Sequence, residues 1–268
     1  VNTQLSLIDG NNDPALAALE RKTDVEVYLM DFTGAGRIDQ KWHAADLLIF
    51  TKQTRLEMDM GGLLSITHWP EQKKLDELAL MAATIRSSWE FVDVTFLIRK
   101  VSRACAQQIT RTRTGSYAMQ SQRVVDVSSS SVYNPMKEQS HFELFADQAT
   151  GAIAEYAELV ADGASREDAR GILPMNIHCN LVAKYNLRAF ADLVVARSSL
   201  RTQGEYADII AQMRQAVIDV WPWAEIFFEP KNEKAIKMLE AVANRIGITT
   251  GSGDGWDIAK AIDLLRAE

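Results

Sequence analysis

Phe91-Val-Asp-Val-Thr-Phe-Leu-Ile-Arg99 is the stretch on which the fold turns. Val92, Val94, Phe96 and Ile98 point one way; Asp93, Thr95 and Arg99 point the other. That two-residue period is the mark of a half-buried strand. The chain then enters Ser102-Arg-Ala-Cys-Ala-Gln-Gln-Ile-Thr110, which reads as a helix carrying Arg103 and Gln108. Upstream, residues 24–30 alternate like a second strand, and Gly34-Ala-Gly36 then breaks the chain. Residues 42–54 and 73–85 carry apolar side chains at helical spacing.

Downstream, residues 124–127 are a short strand candidate, followed by a loop through Ser128-Ser-Ser-Ser131 to Pro135. Helical patterns follow. Residues 151–162 place Ile153, Tyr156, Ala157 and Val160 on one face. Ser165-Arg-Glu-Asp168 looks like a capping box opening a short helix that Pro174 stops. Residues 180–201 form the longest helical pattern, with Leu181, Val182, Tyr185, Ala189, Leu193 and Val194 as its buried stripe. On such a helix Asn186 and Arg197 share a face. Residues 205–220 continue the pattern until Trp221-Pro-Trp223 ends it, and 232–246 with 257–267 form a helical tail.

The chain has 268 residues and a formal net charge of −7, with the apolar and charged fractions of an ordinary globular protein. Its longest apolar runs are too short to span a bilayer, so no membrane segment is expected. Val1-Asn-Thr-Gln-Leu shows no basic region leading into an apolar one, so no secretory signal is expected. Two cysteines, Cys105 and Cys179, do not make a disulfide framework and favour a reducing, cytoplasmic setting. The overall acidity argues against broad nucleic-acid binding.

Against that background, residues 99–123 contain Arg99, Lys100, Arg103, Arg111, Arg113 and Arg123 and no acid at all. Arginine forks suit phosphate, because they give parallel charge-assisted hydrogen bonds. The segment therefore reads as an anion site, a solvated face or a nucleic-acid patch. His43, His68, His141 and His178 have no ligand spacing with one another or with cysteine or glutamate, so no metal is expected. Gly251-Ser-Gly-Asp-Gly255 follows no strand and reads as a connection, with Asp254 or Asp257 capping the last helix.

Arg111-Thr-Arg113, seven residues, then Ser121-Gln-Arg123 resembles the signature of the flavin-dependent thymidylate synthase family, Arg-His-Arg, seven residues, Ser. A second block, Ala169-Arg-Gly-Ile-Leu-Pro174, then Asn186-Leu-Arg188 and Arg197, is spaced as in that family. Glu90 to Phe96 resembles its Glu-His-x-x-Phe-Thr-Phe stretch, with Phe91 in place of the histidine. The resemblance covers residues 85–210 well and the N-terminal part loosely. It implies an α/β (α+β) fold with a central mixed sheet flanked by long helices. Residues 1–230 would form the nucleotide- and flavin-binding domain, and residues 231–268 a helical C-terminal extension.

The resemblance also implies chemistry. In such enzymes FAD, methylenetetrahydrofolate and dUMP meet in a pocket shared by the subunits of a homotetramer, with NADPH as reductant and no attacking cysteine. Gln108, Arg111, Ser121, Arg123 and Arg170 would hold the nucleotide. Arg197 would sit near N3 and O4 of the pyrimidine, where a fixed cation favours the anionic ring. Arg111, Arg113, Asn186, Arg188 and Ser87 would contact FAD. Asp192, where many members carry Asn, belongs to that group, with Arg188 as its expected partner. Thr112 replaces the signature histidine, Ala118 and Met119 replace Asn and Glu, and Ile85 replaces another histidine. These departures leave open a relative that forms a 5-hydroxymethyl pyrimidine nucleotide, as for modified viral DNA, or methylates UMP. A non-catalytic nucleotide-binding protein on the same scaffold is the reading from another class.

Overall fold

The computed structural model describes residues 24–54, 58–84, 86–197, 204–229, 237–239 and 241–242. Four strands, β1 (Glu26–Phe32), β2 (Asp93–Ser102), β3 (Ser116–Met119) and β4 (His178–Asn186), form one sheet in the order β1-β2-β4-β3. The expected α/β character holds, but the sheet is antiparallel, not mixed. β1 pairs with β2 through Val27 opposite Ile98 and Leu29 opposite Phe96. β3 pairs with β4 through Tyr117 opposite Ala183. Between β2 and β4, Leu187 N–H donates to Val92 O at 2.8 Å at one end, and Lys100 N–H donates to Asn180 Oδ1 at 3.3 Å at the other. The start of each strand therefore lies beside the end of its neighbour. Hydrophobic alternation reports which face is buried and is blind to strand direction.

The helices are α1 (Gln40–Lys52), α2 (Met60–Thr67), α3 (Glu71–Thr84), α4 (Arg103–Thr110), α5 (Gln139–Ala161), the single turn α6 (Arg166–Ala169), α7 (Leu187–Arg197) and α8 (Gly204–Val220). Short 3-10 segments cover Ser87–Phe91, Arg170–Ile172 and Pro222–Phe228. Val92, Val94, Phe96 and Ile98 are all fully buried, as the β2 alternation predicts. At the break after β1, Gly34 takes φ +97°. A Cβ there would come within 3.1 Å of the His43 side chain, so this tight entry to α1 requires glycine.

Three expectations are corrected. Residues 180–201 do not form one helix. Their first part is β4, whose buried residues are Cys179, Leu181, Ala183 and Tyr185. The apolar run fits both periods, and its place at the centre of the sheet decides for the strand. Asn186 consequently lies just before α7, where its Oδ1 accepts from Ala189 N at 2.8 Å, and shares no helix face with Arg197. Residues 124–127 form no strand; they run through a turn. The longest described helix is α5, with 23 residues. The C-terminal tail, apart from helical residues 237–239 and 241–242, lies outside the described residues.

The chain divides into two units, residues 1–24 with 121–178 and residues 25–120 with 179–268. The larger has an aromatic core in which Trp89 meets Phe227 edge-on at 4.7 Å and Phe96 lies 5.3 Å from Phe190. Burying rings of this size is the main stabilising contribution available to the sheet. A buried Lys74–Asp46 ion pair at 2.6 Å joins α3 to α1. The smaller unit has its own core of Val127, Ile153, Tyr156, Ala169 and Ile177. There Ser165 caps α6 by accepting from Asp168 N at 3.1 Å, and its hydroxyl donates to Asp168 Oδ2 at 2.7 Å.

Candidate active site

The acid-free segment has different partners in space from those in sequence. Arg99 and Lys100 both pair with Glu26 of β1, at 3.0 and 2.6 Å. Lys100 holds the Glu26 carboxyl below its ordinary range, by hydrogen bond first and by charge. Arg103 donates to the Gln120 carbonyl at 3.3 Å. Arg123 pairs with Glu167 at 2.8 Å. Among the described residues, Arg111 and Arg113 have no ion pair, and both are exposed. Among the described residues, the two forks of this segment with no ion pair therefore flank Thr112.

Thr112 lies in a cluster of tyrosines. Its carbonyl accepts from the Tyr117 hydroxyl at 2.6 Å, and the Tyr117 and Tyr185 rings meet edge-on at 5.8 Å. Gly115 makes this closure possible, since a Cβ there would fall 2.5 Å from the Tyr117 Oη. Burial pushes the Tyr206 phenol up, while the Thr112 side chain and the Arg197 guanidinium beside it pull the other way. The Arg197 guanidinium carbon lies 5.0 Å from the Tyr206 ring centroid. Thr112 of the first sequence block and Arg197 of the second thus converge on one buried ring.

α4 is anchored from the same direction. Ser102 caps it, its Oγ accepting from Cys105 N at 3.0 Å. Ser102 in turn donates its N–H to Glu205 Oε1 at 2.6 Å and its hydroxyl to Oε2 at 2.5 Å. Burial pushes the Glu205 carboxyl up, against the two Ser102 donors. Gln108 rides on this helix as an exposed residue, and Arg111 follows its last turn.

Ser121, Arg123 and Arg170 belong to the smaller unit, where the structure brings them together. Arg123 N–H reaches Ser121 Oγ at 3.3 Å, its guanidinium pairs with Glu167, and Arg170 Nε donates to the Glu167 carbonyl at 3.1 Å. Glu167 therefore sits where these arginines converge.

In the larger unit, Ser87 is exposed at the start of its 3-10 segment. The expected Asp192–Arg188 pair is replaced by two others. Asp192 pairs with Arg86, and Arg188 pairs with Glu90 at 2.6 Å. Arg86 also lies over Trp89, its guanidinium carbon 5.1 Å from the ring centroid. A remote acid competes successfully with one a helical turn away, because exposed pairs differ by only tenths of a kcal/mol. For an FAD diphosphate the uncommitted Arg111 and Arg113 are a suitable donor set, while Arg188 would exchange Glu90 for the cofactor.

Sequence reading missed Glu205 and Tyr206, which it placed only in a helical pattern. It also gave no sign that Glu26, Glu90 and Glu167 would pair with these arginines. A fully buried glutamate beside a fully buried tyrosine in a first helical turn is a signal, but only burial reveals it. Neither cysteine suits a nucleophile. Both are buried and free, and burial pushes both thiols up, Cys179 to about 11. Among the described residues, no group of three or more His, Cys, Asp or Glu side chains could hold a metal ion. No described helix is long and apolar enough to cross a membrane.

Comparison with known proteins bears on these residues. The chain is 28% identical over 152 residues to a flavin-dependent thymidylate synthase of Sulfurisphaera tokodaii, covering 54% of this chain and 59% of that one. It is 28% identical over 150 residues to the Pyrococcus abyssi enzyme of that name, covering 51% and 62%. With the Geobacter sulfurreducens enzyme it shares 32% over 152 residues, covering 53% and 64%. The chain thus spans about three fifths of the length of these curated relatives. In fold it is similar to the crystal structure of a UMP/dUMP methylase from Streptomyces cacaoi bound with 5-Br dUMP. The TM-score is 0.62 at 19% identity, over 77% of this chain and 95% of the other. The profile of the thymidylate synthase complementing proteins matches residues 53–223, a span holding both sequence blocks, and the chain belongs to this flavin-dependent thymidylate synthase family.

Proposed function

We propose that the chain transfers a one-carbon unit from methylenetetrahydrofolate to C5 of a pyrimidine nucleotide, most simply dUMP to dTMP, with FAD as cofactor and NADPH as reductant. The observation that carries this reading is the convergence of Thr112 and Arg197 on Tyr206, with the uncommitted Arg111 and Arg113 on either side of Thr112. Gln108, Arg111, Ser121, Arg123 and Arg170 would hold the nucleotide, the arginines by its phosphate. Arg197 holds negative charge at N3 and O4, which makes C5 nucleophilic. Arg111, Arg113, Asn186 and Arg188 would hold FAD, with Ser87 and Asp192 beside them. Bound FAD supplies the hydride that completes the methyl group. The buried, high-pKa cysteines favour a reaction with no enzyme thiolate.

The test is mass spectrometry of products after incubation with FAD, NADPH, methylenetetrahydrofolate and, in separate reactions, dUMP, UMP or dCMP. A methylated dUMP supports the leading assignment. Methylated UMP or a hydroxymethyl product redirects it to the specialised relatives, and nucleotide binding without any product leaves a non-catalytic binder. Saturable FAD binding in the micromolar range is expected by absorbance or fluorescence, and its absence overturns the cofactor. A homotetramer is also proposed, with exposed apolar residues such as Leu144 on α5 as supporting surface. Light scattering that finds a monomer would count against a shared pocket.

A further inference from the structure

We propose that Tyr206 is the positioning residue for Arg197, its ring holding the guanidinium in the orientation that meets the pyrimidine. This rests on the placement of Arg197 at the nucleotide given above. Arg197 is the last residue of α7, and Tyr206 lies in the first turn of α8. The guanidinium carbon is 5.0 Å from the ring centroid, within the range where a cation is drawn to the negative face of a π-system. Among the described residues no carboxylate pairs with Arg197, and its Nε is buried with no hydrogen-bond partner. A planar cation with no acid to aim it takes its direction from what it lies against.

The ring itself is fixed on two counts. Tyr206 is fully buried. Its neighbour Glu205 ties the first turn of α8 to Ser102 by two short hydrogen bonds. The Thr112 side chain lies near its hydroxyl and favours the ionised phenol against burial. The substitution at the signature position and the tyrosine are therefore spatially linked. A ring braced in this way restricts the guanidinium without an acid that would neutralise it, so the full positive charge remains for the substrate.

The experiment replaces Tyr206 by phenylalanine and by its mono-, di- and trifluorinated analogues, a series of nearly constant volume whose π-face weakens stepwise. Circular dichroism melts confirm that each variant is folded. At saturating dUMP and FAD, single-turnover rates are expected to fall stepwise, to about tenfold below Tyr206→Phe, while dUMP affinity changes less. In an Arg197→Gln background the series is expected to be flat. A rate indifferent to fluorination, or an equal slope without Arg197, overturns the proposal. If the parent makes no product from any nucleotide, the functional reading fails, and dUMP affinity is read across the same two series. A stepwise loss of affinity that needs Arg197 then still supports the ring's role, and a flat series overturns it. Absence of both turnover and dUMP binding overturns both.

Discussion

Two sets of arginines carry the proposed site, and they are held in opposite ways. In the smaller unit Arg123 is exposed and paired with an exposed Glu167. In the larger unit Arg197 lies over a fully buried ring with part of its guanidinium out of water. An exposed ion pair contributes little and exchanges readily, so Arg123 can release Glu167 for a phosphate. A guanidinium against a fixed ring has little to reorganise when charge develops on a substrate. Under the proposed function, the difference makes the same residue type a binding arm in one place and preorganised charge in another.

That contrast can be broken most directly at Arg197. Arg197→Lys keeps the charge and loses the fork, so single-turnover rate at saturating nucleotide is expected to fall roughly a hundredfold. An unchanged rate would remove Arg197 from ring activation. Next in size, Glu205→Ala leaves the Ser102 donors buried without an acceptor. It is expected to cost about 2–3 kcal/mol in urea denaturation, and an unaffected midpoint would show that α4 does not depend on this anchor. Glu205 also sets a pH slope. Its folded pKa is raised above the ordinary 4.5. The folded state therefore holds a proton that the unfolded state has lost, and stability declines as pH rises through that window. Glu205→Gln is expected to flatten this decline, read as urea midpoints taken at rising pH from the ordinary glutamate range upward.

Arg123→Ala should weaken nucleotide binding by about tenfold to a hundredfold, as expected for a lost charge-assisted bond of about 1.5–3 kcal/mol. Its rate at saturation should stay near the parent's, because a phosphate contact persists throughout the reaction. A collapse in rate instead would place Arg123 in the same class as Arg197. The smallest effect belongs to Glu167→Gln. Releasing Arg123 from an exposed pair is expected to tighten nucleotide binding up to about fivefold in titration calorimetry. Weaker binding would show that Glu167 orients the arginine rather than competing for it.

Much of this was legible in the chain. β2 could be read because its alternation is uninterrupted from Val92 to Ile98. α4 followed from Ser102 and the pattern after it. β4 was misread because Leu181 to Tyr185 satisfies two periods at once, and only pairing on both sides separates them. The cationic segment was visible, but which of its members are committed was not. Glu26 lies far upstream and Glu167 far downstream, and both reach the segment through folding alone. Tyr206 gave no signal of its own, since an aromatic in a helical stripe ordinarily means core. It is core, and its importance comes from the arginine that lies over it.

The order of strands in the sheet also has a consequence in time. β4 lies between β2 and β3, yet it is the last of the four to be synthesised, and residues 121–178 of the smaller unit come before it. Until β4 leaves the ribosome, β2 has β1 on one side and an open edge on the other. Its unpaired backbone N–H and C=O groups, beside the buried side chains of Val92, Val94, Phe96 and Ile98, make that edge adhesive. The nascent chain must therefore carry an exposed strand through the synthesis of the whole inserted unit, a long-range closure that slows folding and invites aggregation. Early folding of the inserted segment around Tyr156 and Ile153 would shorten the loop to be closed, making the smaller unit an aid to its host's assembly as well as the bearer of Arg123 and Arg170.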